Sequence, residues 1–342
     1  MPSTPSLVDP ERAAIALATV RRLGCDVREA VAPVVVGQRQ VIDELLAGLL
    51  CGGHCLLEGV PGLAKTLIVK SLAAATDLDF GRLQFTPDIL PADILGTDLL
   101  VERPAGEGRR LEFLPGPVFH NVLLADEINR APPKTQAALL EAMQEGQVTV
   151  GGNRHLLPDP FYVLATRNPI EQEGTYPLPE GQLDRFLMLV QIGYPSREEE
   201  VELVRRTTGP AAATVSQVID RNTLATCRLT VRQIPVAEPV LEQAIMLVRA
   251  SRPGDPLAPD WVGQLIDYGG GPRAAQALVL VAKALAGLDG RPCVGVEDLQ
   301  RAAVPVLRHR LVLSLTAAVD GITADEIVDR LLAERLGDGR AS

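Results

Sequence analysis

The stretch LLEGVPGLAKTLIVKSL, Leu56 to Leu72, runs an apolar segment into a glycine-containing turn and then places Lys65 and Thr66 where a helix begins. Backbone N–H groups in such a turn, added to the positive end of the helix dipole, make a cradle for phosphate oxygens. Gly59, Val60, Pro61, Gly62, Leu63 and Ala64 would form that cradle. Lys65 could then reach the β- and γ-phosphates, and the Thr66 hydroxyl could ligate Mg²⁺. The lysine is informative because Lys65, Lys70, Lys134 and Lys283 are the only lysines in an otherwise arginine-using chain. A compact ammonium fits inside a tight phosphate loop where a planar guanidinium is too large. Ala64 departs from the usual G-x-x-x-x-G-K-[ST] spacing by replacing its second glycine; at a position already helical, its methyl group would cost little. On this stretch alone, a plain strand-to-helix turn with a surface lysine remains open.

A triphosphate site also needs carboxylates at a neighbouring strand tip, and LLADEINRAPPKTQAALLEAMQE supplies them. Asp126, at the end of an apolar run, would hold Mg²⁺ through its water shell. Glu127 would orient and polarise the attacking water. Pro132 and Pro133 lack donors and favour a first helical turn, so they start the next helix promptly. A third run, FYVLATRNP, ends in Asn168, an amide that could bond the γ-phosphate or the lytic water, or simply initiate a turn before proline. Arg185 in GQLDRFLMLVQI could stabilise transition-state charge on a neighbouring subunit's nucleotide, or pair with Asp184. Arg273 in GGGPRAAQAL opens a helix, where a cation opposes the dipole. A bound triphosphate would account for it.

These residues need a layered scaffold, and the chain can provide one. At 342 residues, 46% hydrophobic and 22% charged, it can bury a sizeable core and suits two domains. Short apolar runs (HCLLEG, GRLQFT, NVLLADE, FYVLAT, FLMLVQI) alternate with amphipathic stretches, which is the signature of parallel strands covered on both faces. An α/β layered domain is therefore expected over residues 1–205. Between about 97 and 117 the pattern resembles an inserted hairpin with Gly106 and Gly108 at its tip. Small residues in TTGPAAATVSQ mark a linker, and strand signals fade beyond it. Helical stretches follow over residues 206–342, among them VEDLQRAAVPVLRHRL and one opened by Thr323 and Glu326 at capping-box spacing.

The formal net charge of −10 argues against a protein that wraps nucleic acid or lies on an anionic membrane. Five cysteines, an odd count, suit buried thiols in a reducing compartment better than a disulfide framework. Cys51, His54 and Cys55 form only a weak metal pattern. The N-terminal residues lack the basic and apolar regions of a leader, and no stretch approaches a membrane span, so a cytoplasmic protein without membrane insertion is expected.

Taken in order, GHCLLEGVPGLAKT, LLADEINRAPPKTQAALLEAMQE, ATRNPIEQEGTYPLPEGQLDRF and the region from GPRA to VLRHRL resemble AAA+ ATPases, and more narrowly the MoxR type, over most of the chain from Val35 to Leu313. The resemblance implies a five-stranded αβα core, a helical lid and assembly into rings, generally hexamers, with ATP and Mg²⁺ between subunits. It assigns Lys65 and Thr66 to Walker A, with Ala64 fitting this family's version of it, and Asp126 and Glu127 to Walker B. Asn168 becomes sensor 1, Arg185 the arginine finger and Arg273 sensor 2, while Val36 and Gly37 match the stretch lining the adenine. Arg130 is a further candidate for an inter-subunit contact. The hairpin corresponds to the helix 2 insert and would be a client contact in the ring pore. Arg167 departs from the family's common Gln, and residues 207–256 match less closely. Similar proteins are chaperone-like motors that mature protein complexes, often with a von Willebrand factor A partner. A magnesium-chelatase-like motor subunit and a slow-turnover nucleotide-dependent scaffold are the competing readings.

Overall fold

The computed structural model describes residues 10–102, 109–168, 174–209 and 213–337. Helices α1 (Pro10–Val31) and α2 (Arg39–Cys51) precede β1 (Cys55–Glu58), after which α3 (Lys65–Ala75) leads to β2 (Phe80–Gln84). A short α4 (Pro91–Leu95) enters the hairpin β3 (Gly96–Glu102) and β4 (Arg109–Pro115). Then come β5 (Val122–Asp126), α5 (Pro133–Glu145), β6 (Gln147–Val150), β7 (Asn153–Leu156), β8 (Tyr162–Arg167), α6 (Glu180–Leu183), β9 (Met188–Gln191) and α7 (Arg197–Thr207).

Strands β1, β2, β5, β8 and β9 form one five-stranded sheet in the order β2-β5-β8-β1-β9, with every pairing parallel. Their apolar runs are buried on both faces, as parallel strands between helical layers must be. Alternate residues divide between two cores. Leu57, Leu124, Leu164 and Val190 join the layer of α1, α2 and α3, while Leu56, Leu123, Val163 and Leu189 face α5. Each such leucine contributes about 1.5–3 kcal/mol by burial. The register aligns Gln84 with Asp126 and Arg167 with Glu58, so the carboxyl ends of adjacent strands finish at nearly one level.

The second half is helical: α8 (Arg221–Gln233), α9 (Glu238–Ala250), α10 (Val262–Leu265), α11 (Pro272–Leu288), α12 (Val296–Leu307), α13 (Leu315–Val319) and α14 (Ala324–Leu336), with a small antiparallel pair, β10 (Ile266–Tyr268) and β11 (Val312–Leu313). Thr323 caps α14 as its spacing predicts: its hydroxyl accepts from the Glu326 N–H, and the Glu326 carboxylate accepts from the Thr323 N–H. Helix α12 stops at Leu307, short of the expected Leu311, because Arg308–Arg310 turn back toward the sheet. Helix α7 continues to Thr207, past the expected division after residue 205.

The inserted hairpin is present, but its expected tip at Gly106 and Gly108 lies outside the described residues, as do residues 210–212 of the linker. Cys51, Cys55 and Cys227 are buried thiols as expected, whereas Cys25 and Cys293 are exposed. His54 has a structural role: one ring nitrogen donates to the Met143 carbonyl at 3.0 Å and the other accepts from the Val163 N–H at 3.0 Å. No cluster of three metal-ligating side chains occurs among the described residues. No helix among them is long and apolar enough to cross a membrane.

Candidate functional site

The loop from Gly59 to Ala64 joins β1 to the first turn of α3 at the carboxyl edge of the sheet, where ligands bind in open α/β folds. A side chain at Gly59 would put its Cβ 2.8 Å from the Ile192 carbonyl oxygen, so close backbone approach requires glycine there. Gly62 has φ +90, and a Cβ there would meet nothing within 4 Å, so conformation rather than space selects it. Ala64 corrects the expectation of a helical position. It caps α3 in the left-handed region, at φ 55 and ψ 24, which is a glycine conformation. Its methyl group therefore carries strain of about 1 kcal/mol or more. Lys65 curls back so that Nζ donates to the Gly59 carbonyl at 2.5 Å, and Thr66 follows in the first turn of α3. The first-turn N–H groups of α3, a lysine over the loop and a tight glycine approach form a donor set that fits phosphate.

Beside this loop opens a cavity of about 650 Å³, lined by Gln38, Glu44, Val60, Leu63, Tyr194 and Arg308 among others. Burial pushes the Glu44 carboxyl above the usual carboxylate range, while a hydrogen bond from Gln40 pulls the other way. Val36 and Gly37 line an adjoining cavity of about 480 Å³; Arg39 borders both.

Asp126 and Glu127 follow one another across the end of β5. The Asp126 carboxylate accepts from the Thr166 hydroxyl at 2.6 Å and from Arg82 Nη2 at 2.7 Å. Glu127 sits in the left-handed region at φ 59, which turns its side chain out of the strand direction. Thr166 holds that turn, since its hydroxyl oxygen accepts the Glu127 backbone N–H at 2.8 Å. The Glu127 carboxylate accepts from Gln84 at 2.7 Å and from Arg130 at 3.0 Å. Asn168, 6% exposed, lies just past the end of β8, the strand between those carrying the phosphate loop and the acids. A hydrated divalent cation suits the carboxylate of Asp126 together with the Thr66 hydroxyl, and it would compete with Arg82 for the former.

Arg185 and Arg273 lie apart from this group, where the core meets the helical half. Arg185 makes no hydrogen bond or ion pair through its guanidinium among the described residues. The alternative partner, Asp184, is engaged by Arg310 at 2.8 Å and faced by Arg273 at 4.0 Å. Arg273, 55% exposed in the first turn of α11, thus faces Asp184 and no residue of the phosphate loop. Arg167 pairs with Glu58 across β8 and β1 at 2.8 Å, which accounts for an arginine at that strand tip.

Arg82, Gln84, Thr166 and Arg310 carry no role in the sequence reading, although ATRNP contains Thr166 and VLRHRL contains Arg310. Gln84 and Thr166 stand at the ends of strands that the apolar runs do mark, so strand register alone brings them to the acids. Arg310 has no comparable signal.

A parallel five-stranded sheet with this strand order, a phosphate loop after β1, an acidic pair at the tip of β5 and a packed helical C-terminal half define a P-loop ATPase of the AAA+ class. Residues 54–188 match the family described as ATPases associated with various cellular activities, and residues 261–331 match the AAA lid domain. The chain is 43% identical over 299 residues to "Chaperone MoxR1" of Mycobacterium tuberculosis, covering 87% of this chain and 78% of that protein. It is 33% identical over 305 residues to "Protein MoxR" of Paracoccus denitrificans, covering 84% and 88%. A crystal structure of a protein from Cytophaga hutchinsonii assigned as an ATPase superposes with a TM-score of 0.86 at 43% identity, covering 94% of this chain and 97% of that one. The chain belongs to the MoxR family of AAA+ ATPases.

Proposed function

We propose that this chain hydrolyses ATP with Mg²⁺ between subunits of a ring, a hexamer, and uses the cycle for chaperone-like remodelling or maturation of a protein complex in the cytoplasm. Lys65 and the backbone of residues 59–66 hold the phosphates, and Val36 and Gly37 lie toward the base. Asp126 and Thr66 hold Mg²⁺, which when bound neutralises phosphate charge. Glu127 orients the lytic water and Asn168 bonds the γ-phosphate. Arg185 reaches the neighbouring subunit's nucleotide, and Arg273, the sensor 2 residue of the lid, contacts a bound nucleotide. Arg130 is available for an inter-subunit contact once it leaves Glu127. We place the division between ATPase core and lid just after Thr207, where α7 ends.

The observation that carries this reading is the convergence on one sheet edge of the loop lysine, the acidic pair and the buried amide, while the Arg185 guanidinium lies away from that group without a hydrogen bond or ion pair among the described residues. The chaperone role is taken from the MoxR relatives, and a von Willebrand factor A partner is the expected co-worker. Exposed Leu99, Leu100, Leu111 and Leu114 on the β3–β4 hairpin support its use as a client contact in the pore.

Glu127→Gln keeps the side-chain volume and removes the base, so turnover should fall by about 10²–10⁴-fold with ATP binding retained. Equal turnover of Glu127→Gln and wild type would remove the water-polarising role. A wild-type chain that binds ATP tightly and hydrolyses it no faster than the variant would instead be a nucleotide-dependent scaffold.

A further inference from the structure

The turn Arg308–Arg310, which ends α12, reaches from the lid into the core, and its last residue is nearly sealed from water: the Arg310 side chain is 3% exposed. All five of its N–H donors are used. Nε donates to the Asp184 carboxylate at 2.8 Å. Nη1 donates to the Leu187 carbonyl at 3.1 Å and to that of Val306, and Nη2 to the carbonyls of Phe186 at 2.6 Å and Asp184 at 3.5 Å. Four of these five acceptors belong to the segment 184–187, which brackets Arg185. His309 adds a second hold on the same segment, donating from Nε2 to the Phe186 carbonyl at 3.1 Å.

Burying a guanidinium costs several kcal/mol unless geometry and hydrogen bonding compensate. Here the compensation is complete, and it is directed at backbone carbonyls that only a planar fork can gather together; a lysine ammonium could meet at most three. The segment so held is short and irregular, lying between α6 and β9; its N–H groups bond the carbonyls of Glu180, Gln182, Leu183 and His54, and Arg310 gathers its carbonyls at 184, 186 and 187. Meanwhile the Arg185 guanidinium is left with no hydrogen bond or ion pair among the described residues. The neighbouring carboxylate, Asp184, is shared between Arg310 and the lid's Arg273 at 4.0 Å.

We propose that Arg310 is the positioning residue for the arginine finger: it fixes the backbone on both sides of Arg185, so the lid of one subunit sets the guanidinium presented to the next subunit's nucleotide. This rests on the reading of Arg185 as a finger acting in trans. It assigns to Arg310 a defect felt in the neighbour's site and not in its own. Asp184 is the second member of the device, since it links the finger segment to two arginines of the lid.

The test is subunit mixing. Arg310→Lys keeps the charge but breaks the fork, and Asp184→Asn removes the ion pair while keeping a polar side chain, which guards against one variant failing to fold. Each variant alone should form rings and bind a fluorescent ATP analogue with wild-type affinity, with kcat reduced about 10–100-fold and KM little changed. Mixed in equal amounts with Lys65→Ala subunits, which have a disabled phosphate loop but an intact finger, each should regain activity, because about a quarter of the interfaces then pair an intact site with an intact finger. Arg185→Ala mixed with Lys65→Ala is the control. If the control recovers and the Arg310→Lys and Asp184→Asn mixtures do not, Arg310 acts within its own subunit and the proposal is overturned. If the control itself gives no recovery with rings intact, the trans finger reading fails and the proposal goes with it.

Discussion

Thr166 is the residue on which the geometry of the acidic pair turns. It is 1% exposed, donates its hydroxyl hydrogen to Asp126 and accepts the backbone N–H of Glu127. Thr166→Val keeps the shape and removes both bonds. A hydrogen bond to a charged group contributes about 1.5–3 kcal/mol, and leaving a buried N–H without a partner costs about 1–3 kcal/mol. The second loss falls on Glu127, whose left-handed backbone at φ 59 already costs a residue with a side chain about 1–2 kcal/mol. Allowing for water reaching the partly exposed acids, the net loss should be about 2–4 kcal/mol. Unfolding entropy of ~2.1 cal/mol/K per residue over 342 residues is about 0.7 kcal/mol/K, so the melting temperature should drop by about 3–6 °C. With its backbone turn released, the Glu127 carboxylate drifts from the water it must orient, and a displacement of about 1 Å is worth about 10²-fold in kcat. Thr166→Ser keeps the hydroxyl and loses one methyl group, about 1 kcal/mol, with kcat held within a few-fold. The assay is steady-state phosphate release beside a thermal melt on all three proteins. Wild-type turnover in Thr166→Val, or a serine variant as slow as the valine one, would refute the argument.

Two other perturbations follow from conformations described above. Ala64→Gly removes the left-handed strain but adds unfolded-chain entropy, so a small gain of about 0.5–1 kcal/mol is expected, seen as a shift in urea midpoint with unchanged ATP affinity; a clear loss of stability would mean that the methyl group packs against something that matters. His54 is held neutral by burial, its pKa lowered to about 4, and protonation at Nδ1 would break the bond from Val163. The unfolded imidazole takes its proton first, so this contribution is complete above about pH 6.5 and is lost as pH falls toward 4, amounting to about 2–3 kcal/mol. Unfolding free energy of wild type and His54→Asn, followed from pH 7 to pH 4.5, should show a shallower slope in the variant, and parallel slopes would contradict the assignment.

The five core strands are legible because each is a short apolar run buried on both faces, a pattern that survives without knowledge of the tertiary fold. The phosphate loop and the acidic pair are legible because their chemistry is local. What escapes is set at longer range or by backbone torsion. Periodicity carries no mark of a positive φ, so Ala64 reads as helical. The β6–β7 hairpin does leave a signal in QVTVGGNRHL: Gly151 and Gly152, at φ 56 and 81, form the two-residue turn that such a glycine pair favours, but the alternation of apolar runs and helices does not bring it out. Helix α12 reads too long because Val304, Leu307 and Leu311 keep a helical spacing across Arg308–Arg310. Carbonyls more than 120 residues away in the chain decide the matter instead, and no local pattern encodes them.

One apolar cluster runs without a break from the sheet face through α1 and α2 into α8, α9, α11, α12 and α14. Swinging the C-terminal half open like a door would wet that seam at about 25 cal/mol for every Å² uncovered. The two halves can therefore shift only by shear, a gliding of helices that stay in contact, with α1, packed on both α3 and α11, carried along.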